Sequence, residues 1–102
     1  MIEQRRYARV VVNAPATFSI KGDVERREGL AKDISVGGMF VETTVPAAFG
    51  ANIVVHVLLP GASASLDLPG TVRWVRDGGM GVQFGLLGAV ETHIITEIGR
   101  RA

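Results

Sequence analysis

The chain has no cysteine among its 102 residues, which excludes a disulfide framework and any thiolate metal site and suits a reducing compartment. Long apolar runs are missing too. Stretches such as Val57-Leu58-Leu59 are far too short to cross a bilayer as a helix, so no membrane insertion is expected. Nor is there an excess of charge. With 11 basic side chains against 10 acidic ones, the chain lacks the broad positive field with which nonspecific binders hold a nucleic-acid backbone. After Met1 come Ile2, Glu3, Gln4 and then arginines. That order has no apolar segment of a secretory leader, and the cytoplasm is the expected location. Enzyme readings find little support: there is no cysteine nucleophile, no Gly-x-Ser-x-Gly elbow, no Walker loop and no metal-binding cluster. His56 stands alone in an apolar strand and the only other histidine is His93, so it reads as a packed or partly exposed residue, and no metal ligand is assigned.

What charge there is lies locally. Met1 to Arg9 holds Arg5, Arg6 and Arg9 against Glu3 alone, a balance that suits a small anion better than a polymer. The second notable stretch is Asp33-Ile34-Ser35-Val36-Gly37-Gly38. In an extended segment Asp33 and Ser35 share one face while Ile34 points to the core. Gly37 and Gly38 permit positive φ or a close backbone approach. A tight hairpin in which Asp33 and Ser35 satisfy turn amides is the plainer reading of this hexapeptide taken alone.

A length of 102 residues corresponds to one domain, able to bury roughly 65% of its unfolded surface. From Val12 the alternation is clean: Val12, Ala14, Ala16, Phe18 and Ile20 face one way, and Asn13, Pro15, Thr17 and Ser19 the other. Pro15 marks an edge or a bulge. Lys21-Gly22-Asp23 is turn chemistry, and Glu25 to Ile34 is the return strand. Antiparallel pairing about Gly22 places residues near position 11 opposite residues near position 33, so the basic arm and the Asp-Ser-Gly stretch become neighbours. Met39 to Thr43 forms a third strand. Ile53 to Leu59, apolar on both sides apart from His56, is expected to lie between two layers, one of them a helix. Leu66 to Val75 and Met80 to Phe84 form a hairpin about Asp77-Gly78-Gly79. Leu66, Leu68, Gly70, Val72 and Trp74 are expected to face inward, opposite Met80, Val82 and Phe84. Trp74 is assigned to the core or its margin, with stacking on a base as its other use. Leu86, Val90, Ile94 and Ile98, widened by Leu87 and Ile95, then predict one amphipathic helix over 86–100, with Arg100 and Arg101 complementing its dipole.

Three readings remain open on the residues alone: a small-anion or nucleotide binding module, a nucleic-acid-binding barrel of the OB type, and a pure interaction scaffold. Together, Arg5-x-x-x-Arg9 and Asp33-x-Ser35-x-x-Gly38 resemble the bipartite signature of PilZ domains, the bacterial receptors for cyclic di-GMP. Gly70-Thr71-Val72-Arg73-Trp74-Val75 and Gly79-Met80-Gly81-Val82-Gln83-Phe84 resemble the last two strands of that family. The resemblance covers nearly the whole chain and implies an all-β fold with a C-terminal helix. Residues 10–84 would form a six-stranded antiparallel barrel, with 1–9 a ligand-binding arm. It implies no catalysis, no cofactor and cyclic di-GMP as ligand. Arg5 and Arg9 match the two motif arginines, whose forks suit phosphate oxygens and the N7/O6 edge of guanine. Asp33 would accept from a guanine amino or imino hydrogen. Ser35 would reach a phosphate or base oxygen, and Gly37 and Gly38 would let the backbone come close. Arg6 would stack on a guanine face.

Gln4 occupies the place where members that take an intercalated ligand pair tend to carry a further arginine, which favours one molecule per chain. The implied role is a receptor, monomeric or weakly dimeric, that signals to a separate effector protein through ordering of an arm short of apolar anchors. Its alternative is a PilZ-like interaction module that does not bind the nucleotide.

Overall fold

A computed structural model describes residues 9–101, with backbone only at Arg101. Arg5, Arg6 and Gln4, on which part of the expected site rests, lie outside the described residues. Six strands and a helix follow in order: β1 (Val10–Ile20), β2 (Arg26–Ser35), β3 (Gly38–Glu42), β4 (Asn52–Val57), β5 (Leu66–Arg76), β6 (Gly79–Phe84) and α1 (Ala89–Arg101). The strands close into an antiparallel barrel in the order β1-β2-β3-β6-β5-β4, and closure leaves no long sheet edge unpaired. Phe18, Ile34, Met39, Val55, Leu68, Val72 and Met80 fill the interior and are fully buried. Alternation in β1 follows the sequence pattern, with Ala14, Ala16 and Phe18 buried.

Three bulges interrupt the register. β1 and β2 shift between Val11 and Ala14, where Asn13 takes a left-handed φ of 47°. β2 and β3 shift between Ala31 and Asp33. β5 and β6 shift between Val72 and Trp74. An extra residue changes which face the following side chain meets. Ala31 and Ile34 are both fully buried, so the bulge at Lys32 sets Asp33 on the outer side of the wall. Pro15 pairs with Leu30 in β2 and lies just outside the β1–β4 ladder, which runs from Ala16 to Ile20.

Several expectations are corrected. β4 alternates between buried and partly exposed residues; it is not a strand covered on both faces, because α1 packs against β2. Trp74 is not inward. It is 40% exposed, because the bulge at Arg73 reverses the phase established by Leu68, Gly70 and Val72. The helix begins at Ala89 and not at Leu86. Gly88 accepts the first helical bond from the Thr92 N–H at 3.0 Å, and Leu86 is 98% exposed. Val90 is also exposed, so the covered stripe is Leu87, Ile94, Ile95 and Ile98.

Candidate functional site

Val11 pairs with Asp33 and Val10 with Ile34, so Arg9, the residue before β1, arrives beside the end of β2. Its Nη1 donates to Asp33 Oδ1 at 2.7 Å, with both side chains a little under one-third exposed. The same carboxylate oxygen accepts the Phe40 N–H at 3.3 Å. Asp33 therefore ties the entering chain to β3 while staying open to water.

The β2–β3 turn is built by its own side chain. Ser35 is buried, and its Oγ accepts the Gly37 N–H at 3.1 Å. The Gly37 carbonyl accepts the Phe84 N–H at 3.0 Å. Neither Gly37 nor Gly38 supplies the expected left-handed backbone, which occurs at Gly22, Gly50, Gly61 and Gly78. Gly38 is needed for a different reason: a β carbon there would lie 2.2 Å from the Val82 carbonyl oxygen. The close approach comes from the neighbouring strand of the barrel itself.

Beside this turn lies a hollow of about 280 Å³ lined by Arg9, Gly37, Arg73, Trp74, Gly81, Val82 and Gln83. Arg73 and Gln83 line the hollow and are absent from the motif reading. Thr71 pairs with Gln83, and Gly38 pairs with Gln83 on the other side, so the order β3-β6-β5 is the signal that would have found them. Trp74 lies over Gly81, where a β carbon would fall 2.2 Å from indole Cε2. Across that glycine Trp74 stacks on Phe40, with ring centroids 5.3 Å apart and planes 14° from parallel. Arg76 Cζ covers the pair, 4.7 Å from the Trp74 ring and 5.3 Å from that of Phe40.

Two other features have the outline of a site. A larger hollow of about 550 Å³ opens by the β1–β2 turn, lined by residues including Lys21, Asn52 and Thr71; among the described motif residues, none of Arg9, Asp33 and Ser35 lines it. On the outer wall Ser19 Oγ stands 3.0 Å from His56 Nε2, and His56 Nδ1 stands 2.7 Å from Asp67 Oδ1. The row has the order of a hydrolytic relay, but Asp67 is 73% exposed. Ser19 is also paired on both sides within the barrel wall, so no free pair of amides faces it to hold an oxyanion. It fastens β1, β4 and β5 together. Among the described residues no cluster could hold a metal ion, and no helix is long and apolar enough to cross a membrane.

The PilZ domain family model matches residues 3–98, and the chain belongs to that family, whose domains are regulatory binding modules. Its fold is similar to the Bacillus subtilis inhibitor of motility MotI/DgrA, with a TM-score of 0.79 at 18% identity over 98% of this chain and 52% of that one. It is also similar to the PilZ domain of CeSA from a cellulose-synthesizing bacterium, with a TM-score of 0.73 at 17% identity over 93% of this chain and 99% of that one. Escherichia coli YcgR, solved in complex with c-di-GMP, gives a TM-score of 0.74 at 16% identity over 98% of this chain and 46% of that one. The chain thus spans about half the length of MotI and YcgR. No curated protein matches it in sequence.

Proposed function

We propose that this protein is a receptor for cyclic di-GMP that passes its bound state to a separate effector protein. The observation that carries the reading is the pairing of Arg9 with Asp33 at the edge of a hollow walled by Arg73, Trp74 and Gln83. Membership of a family whose member YcgR has been solved with c-di-GMP supports it.

In this reading the ligand enters between the arm and the β2–β3 turn. Arg9 turns part of its fork from Asp33 to a phosphate or to the guanine N7/O6 edge, and the freed carboxylate oxygen accepts from the guanine N1–H or amino group. Arg5 and Arg6 complete the cationic side, with Gln4 next to them. Trp74 offers an indole margin for a base to pack on, and Arg73 a second cation facing Arg9. Ser35 and Gly37 act through the turn they build, and Gly38 through the strand contact that sets its position. Ordering of the arm over the mouth changes the surface presented to the effector.

One specific observation favours the alternative, an interaction module that binds no nucleotide. Ser35 and Gly38 each have a complete structural task, a turn bond and a strand contact, so this half of the motif accounts for itself without a ligand. Titration of the protein with cyclic di-GMP by calorimetry separates the two: saturable heat supports the receptor, and its absence at millimolar ligand supports the interaction module.

A further inference from the structure

The outer wall beside the hollow holds two stacked rings under Arg76, which takes no part in the proposed ligand site. Trp74 and Phe40 are carried over Gly79 and Gly81: a β carbon at Gly79 would fall 2.5 Å from Phe40 Cζ, and one at Gly81 2.2 Å from the indole. Two glycines at alternate positions of β6 thus make room for the rings. Arg76 stacks over both. A guanidinium held by its face on aromatic rings keeps the N–H groups of its edge directed outward, and that fork matches a carboxylate. Neither Arg73 nor Arg76 has an acidic side chain within ion-pair distance among the described residues. Trp and Arg are also the side chains that most often dominate protein interfaces.

We propose that the Phe40–Trp74–Arg76 face is the docking surface for an acidic segment of the effector protein. Charge complementarity selects the partner: Arg76, without an ion-pair partner among the described residues, lies on an apolar platform, so the fitting surface presents carboxylates beside apolar side chains. A nucleic acid fits less well, because the chain's net charge is only +1. The face also adjoins the ligand hollow. Trp74 lines that hollow and carries Arg76, so one indole touches both surfaces, and occupancy of the first bears on the second. This extends the receptor reading and depends on it only for that coupling.

Trp74 is the sole tryptophan, so its indole N–H resonance reports on this face without ambiguity. The probe is a short amphipathic peptide whose charged residues are all glutamate, titrated with and without cyclic di-GMP, beside the same peptide with lysine. The expected result is a saturable shift of the indole signal with the glutamate peptide alone, at an affinity that cyclic di-GMP changes several-fold. Arg76→Glu and Arg76→Gln should abolish the peptide response. A peptide response that survives Arg76→Glu, an equal response to the lysine peptide, displacement by a single-stranded oligonucleotide, or no saturable shift at millimolar peptide would each overturn the proposal. Failure of cyclic di-GMP to bind the unmodified protein would remove the receptor reading, while the peptide arm run without nucleotide would still decide the docking surface.

Discussion

Arg9 Nη1 and Asp33 Oδ1 are 2.7 Å apart where the chain enters β1 beside the end of β2, and in the proposed receptor each is the other's competitor for ligand. An anion must draw the guanidinium away, and a base donor must share the carboxylate. A partly exposed pair of this kind is worth at most about 1 kcal/mol to folding, so its exchange for ligand contacts costs little.

Arg9→Ala and Asp33→Ala should therefore separate binding from stability. Each is expected to lose about 1.5–3 kcal/mol of nucleotide binding, roughly 10- to 150-fold in affinity. Arg5→Ala should behave alike. Apo melting temperatures of the Arg variants should fall by no more than a few degrees. A large drop with unchanged nucleotide affinity would make the pair structural.

Gly38→Ala is expected to act on the barrel. The added methyl meets the Val82 carbonyl, and overpacking against backbone that cannot yield costs about 1–3 kcal/mol or more. The apo protein should melt well below the parent, even in the absence of nucleotide. A variant as stable as the parent but unable to bind would assign Gly38 to the ligand instead.

Gly81→Ala should displace Trp74, because its methyl would occupy the position of the indole ring. Since Trp74 is the only tryptophan, an altered emission spectrum in the apo state checks this directly. Unchanged fluorescence would mean that the ring does not rest on the glycine.

Much of this arrangement was legible in the sequence. Counting about Gly22 places position 11 opposite position 33, and Val11 does pair with Asp33, but the turn itself sets a register one residue away, with Ala14 opposite Ala31, and the bulge between Val11 and Ala14 restores the count. The orientation of Trp74 was not legible. Extrapolating a period of two from Leu66 carries it into the core, and the bulge at Arg73 that reverses the phase has no composition signal of its own. Gly38 was hidden for a related reason: which strand lies behind a glycine depends on the order β3-β6, a non-local fact. The helix start at Ala89 is not marked by the apolar spacing, which continues from Leu86 across Gly88 without a break.

Generic single-stranded oligonucleotides should bind weakly. The net charge is +1, so the steep salt dependence that phosphate-tracking proteins display should be missing. Tight, salt-sensitive oligonucleotide binding with no response to cyclic di-GMP would favour a nucleic-acid-binding barrel.

The central claim is tested most directly by calorimetric titration of the protein with cyclic di-GMP, run in parallel on Arg9→Ala and Asp33→Ala. The account predicts saturable binding of one ligand molecule per chain, weakened at least tenfold in each variant. No heat with the unmodified protein, or equal affinity in all three, would contradict it.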